Sequence, residues 1–251
     1  MLPTDPILLG LLLGLVFLVA LAYSSVGHGG ASGYLAVLSF FGLAPEAMAP
    51  SALCLNLLVS GTSFVSYQRA GHFVWRLLWP FLITSIPFAF LGGLTQVSSR
   101  TYLLALSVAL LFAAYRLFLS PRDNEGVLHV PSLLATLPIG AAIGFVSGLI
   151  GVGGGIFLSP LIILMKWADA KRTAAVSAAF IWINSAAGLY GQLLRKPVDW
   201  SALLWLVAAA FAGGLVGSYL GAQRFRSLWL RRILAVVLLL ATLKLLRSAF
   251  S

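Results

Sequence analysis

The chain has 251 residues, of which 61% are hydrophobic and only 9% are charged, and its mean hydropathy is +1.03. A water-soluble domain of this size cannot form its surface from such a composition, so the chain is expected to lie in a lipid bilayer. Its net charge of +10 comes from 16 basic residues that lie mainly in short connections. Because basic residues in short loops set membrane topology, we expect no nucleic acid partner.

The first apolar segment is expected to be a retained membrane helix, since residues 1–6 lack the positively charged region of a cleaved signal peptide. Four more apolar segments follow it, and the second of the five is short. The five segments are Ile7–Tyr23, Tyr34–Leu43, Ser51–Tyr67, Trp75–Val97 and Tyr102–Leu119. The single cysteine, Cys54, lies in one of these apolar runs, which excludes a disulfide scaffold.

A polar stretch, Ser120–His129, separates these segments from a second series of five. The second series is Leu133–Ile150, Ile156–Trp167, Ala174–Leu194, Trp200–Leu220 and Leu228–Leu246, and its second segment is again short. A helix needs roughly 20 apolar residues to span the bilayer, which most of these segments approach. We therefore predict an all-α integral membrane protein with a first transmembrane repeat at residues 1–119, a linker at 120–132 and a second repeat at 133–251.

The two series match one another in register. Each contains a glycine-rich break, at residues 27–30 and 151–155, and the first glycines are 151 − 27 = 124 residues apart. Ser51 and Ser177 are 177 − 51 = 126 residues apart, and Gly92 and Gly217 are 217 − 92 = 125 residues apart. A nearly constant offset indicates a duplication. An odd number of segments in each copy predicts that the two copies insert in opposite orientations.

Loop charges support this inverted-topology prediction. The basic side chains of the first series follow its third and fifth segments: Arg69, His72, Arg76, Arg116 and Arg122. Those of the second series follow its second and fourth segments: Lys166, Lys171, Arg172, Arg224, Arg226, Arg231 and Arg232. The positive-inside rule places all of these residues in the cytoplasm and both termini outside. Four basic residues depart from the pattern: Arg195, Lys196, Lys244 and Arg247.

The glycine breaks predict unwound backbone within the membrane. Clustered glycines permit left-handed conformations that other residues resist, and such backbone survives at membrane depth only inside protein or beside a watery cavity. The following segments have only 10 and 12 residues, so we expect half-helices or re-entrant helices. A helix that starts at the midplane directs free N–H groups and a partial positive charge toward an anion. The alternative role of the glycines is close helix packing.

Acidic residues are confined to the termini and connections: Asp5, Glu46, Asp123, Glu125, Asp169 and Asp199. This distribution disfavours a cation or proton pathway built on buried carboxylates. Asn56, Ser60 and Ser63 share one helical face, and Ser177 and Asn184 share a comparable face in the second series. These uncharged groups are candidates for holding an oxyanion, and hydrogen bonding between helices is the alternative. His28 is a candidate donor or pH-sensitive group, and a neutral histidine bonded to backbone is the alternative.

The pattern resembles the TauE/SafE family of sulfite exporters, also called the four-toluene sulfonate uptake permease family. The resemblance rests on residues 25–30, 148–155 and 175–178 and on the two-half layout, and it covers nearly the whole chain. It implies transport of sulfite, sulfonates or related sulfur or carbon oxyanions across the bacterial inner membrane, without enzymatic activity or a cofactor. The first break departs from the second by having His28 and Ala31 where the second has Val152 and Gly155, so the two half-sites need not contribute equally.

We therefore expect alternating access, in which one repeat rocks against the other around an anion at the midplane. The expected binding residues, with no metal or catalytic group, are Ser25, Gly27, His28, Gly29, Gly30, Ser51, Asn56, Gly151, Gly153, Gly154, Gly155, Ser177 and Asn184. The expected partners are the bilayer and a small anion, with a homodimer left open. An anion channel and a non-transporting membrane scaffold remain alternatives. So does an intramembrane serine protease with Ser32 as nucleophile, which needs a histidine base within reach.

Overall fold

The computed structural model describes residues 3, 5–118, 128–195, 200–223 and 228–250. In these ranges every regular element is an α-helix, and each helix falls on one of the predicted apolar segments. The helices are α1 (Pro6–Ser24), α2 (Ala31–Phe40), α3 (Pro45–Arg69), α4 (Trp75–Leu94), α5 (Ser99–Phe118), α6 (Leu133–Ile150), α7 (Gly155–Leu164), α8 (Ala170–Leu193), α9 (Trp200–Gln223) and α10 (Leu228–Phe250). The all-α prediction is confirmed.

Some sequence predictions fall beyond the described part of the chain. Most of the predicted linker and the side chains of several loop cations lie outside it: Arg116, Arg122, Lys196, Arg224, Arg226, Arg231 and Arg232.

Six of the described helices are long and apolar enough to cross a bilayer: α1, α3, α4, α6, α8 and the 203–222 part of α9. The protein is therefore a multi-pass membrane protein. In contrast, α2 and α7 have 10 residues each, which corresponds to about 15 Å, or half of the hydrocarbon thickness. The two segments predicted to be short are short in the structure.

The helices of the two halves of the chain interleave. The first helix of each half packs against the fourth helix of the other, as α1 against α9 and α6 against α4. The third helices, α3 and α8, pack against each other, as do the fifth helices, α5 and α10. These four contacts are thus unchanged when the two halves are exchanged, whereas the short helices differ, since α2 packs more closely against α10 than α7 does against α5.

Glycine stripes allow the closest of these contacts. On α6, Gly140, Gly144 and Gly148 lie directly against the α4 backbone at Phe81, Ser85 and Ala89. On α9, Gly213, Gly217 and Gly221 lie against the backbone of Phe17, Leu21 and Ser25, along α1 and just beyond its end. Small residues at four-residue spacing let membrane helices approach until their backbones touch. Both stripes belong to the second half of the chain.

One end of the helix bundle contains the connection between α3 and α4, and we call it the His72 end. The Tyr67 hydroxyl donates to the Ser25 carbonyl at 2.9 Å, and the amide of His129 donates to the Trp167 carbonyl at 3.0 Å. Burial and then the nearby Lys171 ammonium lower the pKa of His72. The ends of α1, α3 and α7 and the starts of α6 and α8 therefore lie together.

The opposite end, which we call the Glu46 end, contains the start of α3. Ser99, at the start of α5, donates to the Glu46 carboxylate at 3.1 Å. The Arg100 guanidinium lies 5.1 Å from the centre of the Phe250 ring at the end of α10. The Tyr102 hydroxyl donates to the Ile150 carbonyl at 3.2 Å, which brings the end of α6 close to the start of α5.

Basic side chains bind the last carbonyls of three helices. Lys171 donates to Gly221 and Ala222 at the end of α9, Lys244 donates to Ser39 near the end of α2, and Arg195 donates to Gly93 and Thr95 at the end of α4. A cation at a helix C-terminus interacts favourably with the helix dipole, by about 0.3–1 kcal/mol. This role accounts for Arg195 and Lys244, two of the four cations that depart from the loop-charge pattern.

The glycine stripe on α6 yields a stability prediction. A methyl group at Gly144 would overlap the Ser85 carbonyl, whereas a methyl group at Gly14 on α1 would meet nothing within 4 Å. We expect Gly144→Ala to lower the stability of the purified protein in detergent by about 1–3 kcal/mol because α4 and α6 must separate. Thermal unfolding followed by size-exclusion chromatography measures this loss. The matched control, Gly14→Ala, is expected to unfold at the wild-type temperature or above it, and equal losses in the two variants would contradict the packing account.

Candidate functional site

Both glycine runs interrupt the helices at the expected positions. The first lies between Ser24, where α1 ends, and Ala31, where α2 begins; the second lies between Ile150 and Gly155, where α6 ends and α7 begins. Gly30 and Gly154 directly precede the short helices, and their φ angles are +99° and +84°. Because side-chain-bearing residues rarely adopt this left-handed conformation, glycine at these two positions lets the chain reverse sharply into each short helix.

The first glycine of each break packs against the opposite half of the chain. Gly27 lies against Ala174 at the start of α8, and Gly151 lies against Ala49 near the start of α3. A side chain at either position would overlap that helix. These two glycines therefore have the packing role that the sequence left open as an alternative.

The Asn56 side chain joins the two breaks. It is 1% exposed, its Oδ1 accepts a hydrogen bond from the Ala31 amide at 3.2 Å, and its Nδ2 donates to the Ser185 hydroxyl at 2.9 Å. A Cβ added at Gly29 or at Gly153 would overlap the same amide group. One side chain on α3 therefore contacts the first break, α8 and the second break.

A second contact between the halves runs through His28. Its Nδ1 lies 3.0 Å from the Val26 carbonyl oxygen, and its Nε2 lies 2.9 Å from the hydroxyl of Ser159 on α7. The Ser159 hydroxyl in turn donates to the hydroxyl of Ser177 on α8 at 2.8 Å. The imidazole of the first break is thus hydrogen-bonded into the second half of the chain.

Buried polar atoms without a protein hydrogen-bond partner lie beside both breaks. Among the described residues these atoms include the Tyr34 hydroxyl and the Ser147 hydroxyl. Tyr34 lies against Gly30 and Ser147 lies against Gly154. An unpartnered buried polar atom costs about 1–3 kcal/mol, and these two hydroxyls are free to form a hydrogen bond beside the breaks.

The structure brings together a subset of the expected binding residues: His28, Gly29, Gly30, Asn56, Gly153, Gly154, Gly155 and Ser177. The remaining expected residues show other contacts or positions. Ser25 donates to the Ala22 carbonyl at 2.7 Å, Asn184 donates to Phe180 of its own helix at 2.9 Å, and Ser51 is buried on α3.

Sequence reasoning missed Tyr34, Ser147, Ser159 and Ser185. The first two lie within one turn of a glycine break, a proximity that the sequence already displays. Ser185 is adjacent to the expected Asn184, and helical periodicity alone does not show which of the two faces Asn56. Only the packing of α3 against α8 directs Ser185 toward Asn56.

An intramembrane serine protease would use the Ser32 hydroxyl together with a histidine base. The Ser32 hydroxyl and the His28 imidazole both have other hydrogen-bond partners. The Ser32 hydroxyl lies 2.8 Å from the Tyr23 hydroxyl, and Nε2 of His28 lies against Ser159. A serine nucleophile requires a hydrogen bond to its base.

Residues 12–245 match the sequence profile of the family described as "Sulfite exporter TauE/SafE". The chain is 40% identical over 239 residues to the "Probable membrane transporter protein y4hK" of Sinorhizobium fredii, covering 92% of this chain and 95% of the relative. It is 26% identical over 202 residues to the "Probable membrane transporter protein MJ0441" of Methanocaldococcus jannaschii, covering 74% and 73% of the two chains. No solved structure matches the chain.

The Asn56 contacts lead to a prediction that separates the two buried asparagines. We expect Asn56→Ala to lower stability by about 1–3 kcal/mol, because the Ala31 amide and the Ser185 hydroxyl both lose a buried partner. Asn184→Ala is the matched control, since the Asn184 side chain bonds only within α8 among the described residues. Detergent unfolding of both variants measures the difference. Equal destabilisation would show that Asn56 does not join the breaks.

Proposed function

Since the chain belongs to the sulfite exporter TauE/SafE family of membrane transporters, we propose that it exports a small oxyanion, such as sulfite or a sulfonate, across the inner membrane. The observation that carries the proposal is the meeting of two buried glycine breaks at the starts of two half-length helices. His28 and Asn56 connect these breaks across the two halves of the chain. Glycine backbone at membrane depth is typical of the ion and substrate sites of transporters.

The chemistry around the breaks favours an anion. The first N–H groups of α2 and α7 have no acceptor within their own helices, and each N-terminus carries about half a positive charge. The Ala31 amide donates a hydrogen bond to Asn56, and the Tyr34 and Ser147 hydroxyls are additional donors. The described acidic residues, Asp5, Glu46 and Asp169, lie at helix starts instead. Helix N-termini combined with neutral donors bind oxyanions without needing a fixed cation.

The two halves, residues 1–119 and 133–251, are inverted copies in this proposal. The positions of the helix ends support it. Ser25, which follows α1, contacts Tyr67 at the His72 end, whereas Ile150, which ends α6, contacts Tyr102 at the Glu46 end. The first helix of each half then crosses the bilayer in the opposite direction. The short helices return from the midplane toward opposite ends.

The basic residues support a cytoplasmic location for the His72 end. Arg69, His72, Lys171 and Arg172 lie there, and the positive-inside rule assigns such a cluster to the cytoplasmic side. A membrane potential that is negative inside then favours the outward movement of a substrate with net negative charge. The gain is about 2.3 kcal/mol per unit charge per 100 mV. The site is exposed first to the His72 end and then to the Glu46 end, as in alternating access.

Glycine substitutions test the location of the site. In proteoliposomes we expect Gly29→Leu and Gly154→Leu to reduce sulfite or sulfonate flux at least tenfold, because a leucine fills the breaks and displaces Asn56 or Phe180. Gly10→Leu, on an open face of α1, is the control and should retain flux. Size-exclusion chromatography confirms that the variants are folded. Wild-type flux in folded Gly29→Leu and Gly154→Leu would place the site elsewhere, and flux that does not saturate with anion concentration would identify a channel.

Cysteine labelling tests the orientation. With Cys54→Ser as background, single cysteines replace Arg69 at the His72 end and Glu46 at the opposite end; both positions are exposed. In intact spheroplasts we expect a membrane-impermeant maleimide to label the cysteine at position 46 and to label position 69 only after permeabilisation. The reverse pattern would invert the proposed topology.

A further inference from the structure

The hydrogen bonds of His28 define the protons that its ring must carry. The Val26 carbonyl oxygen can only accept a hydrogen bond, so Nδ1, 3.0 Å away, carries a proton. The Ser159 hydroxyl has one proton and donates it to Ser177. To hydrogen-bond to the same Ser159 oxygen, Nε2 must therefore donate as well. The arrangement is fully satisfied when both ring nitrogens carry protons, which makes His28 a cation.

Loss of the Nε2 proton changes this row of hydrogen bonds. A neutral ring with its proton on Nδ1 can only accept at Nε2, so Ser159 must turn its proton away from Ser177 and toward His28. Ser159 lies on α7, one turn beyond the second break, and Ser177 lies on α8. The protonation of one side chain in the first break therefore sets the hydrogen bonding of two helices in the second half.

The elements around the ring are the first break itself, α1, α7 and α8. Polar groups that contact the ring include the Val26 carbonyl and the Ser159 hydroxyl, which itself donates to Ser177. The titratable and charged side chains on these elements near this region have other contacts: Tyr23 with Ser32, Lys171 with the carbonyls of α9, and Arg172 with Asp169 at 3.4 Å. His72 lies beyond them at the bundle end.

We propose that the site takes up its anion together with a proton, which is held on His28. This inference rests on the proposed function and extends it by naming the coupled ion. An anion at the site neutralises both a protonated His28 and the positive N-terminus of α7, which lies beside the ring, so a bound anion makes the ring hold its proton more tightly. Anion and proton therefore strengthen each other's binding by the same factor. A doubly charged anion with one proton still carries net negative charge, so the membrane potential continues to favour its export.

Isothermal titration of thiosulfate into the purified full chain tests the proposal. Thiosulfate is chosen because it has no titratable proton near neutral pH, unlike sulfite. Repeating the titration in buffers of different ionisation enthalpy measures the protons taken up with the anion. We expect uptake that approaches about one proton per anion as pH rises above the ordinary range of histidine, and a Kd that increases up to about tenfold per pH unit there.

Four variants complete the design. His28→Gln is expected to bind thiosulfate with no proton uptake and with a Kd independent of pH. Ser159→Ala removes the acceptor of the Nε2 proton, so its Kd should begin to rise at lower pH than in the wild type. His72→Gln and His129→Gln are matched controls that should keep wild-type proton uptake, because both rings lie at the His72 end of the bundle and not at the glycine breaks.

The outcomes distinguish the two proposals. Thiosulfate binding by the wild type without proton uptake and with a Kd independent of pH would overturn the proton coupling and leave the anion site intact. Unchanged uptake in a folded His28→Gln variant would also overturn it; if that variant does not fold, an unshifted pH dependence in Ser159→Ala has the same meaning. Failure of the wild type to bind thiosulfate, sulfite or any sulfonate would overturn the proposed function itself.

Discussion

Backbone N–H and C=O groups cannot be left unsatisfied in hydrocarbon, and this constraint organises the structure around its two glycine breaks. Each break releases several such groups at membrane depth, so it has to be enclosed by protein. The third helices provide that enclosure, since α3 and α8 lie against both breaks. Asn56 supplies an acceptor for one of the released amides. The burial of α2 follows from the same constraint, since a half-length helix in lipid would expose both of its ends.

The helical architecture was predictable from the sequence because it depends on local composition. All ten apolar segments form helices in the described residues, and the two short segments remain short. The glycine breaks were predictable for the same reason, since left-handed backbone selects glycine at positions such as Gly30 and Gly154. Sequence spacing also contains the stripe Gly140, Gly144 and Gly148, whose four-residue period is a recognisable helix-packing signal.

The partners of the polar side chains were not predictable in this way. Asn56 and Asn184 look equivalent as buried asparagines on third helices, yet Asn56 bridges to Ser185 and Asn184 bonds within its own helix. The difference depends on how α3 and α8 rotate against each other, which no local pattern encodes. Arg195 and Lys244 likewise looked like exceptions to the charge rule until the carbonyls that they bind were located on α4 and α2.

The reciprocal packing has a consequence for how the chain assembles. Both glycine stripes belong to the second half, and the backbones that they contact, on α1 and α4, belong to the first. A half-chain alone would leave these grooves and one wall of its glycine break without a covering helix. Each half is therefore an incomplete folding unit. The helices of the two halves have to pack against each other before either break is shielded from lipid.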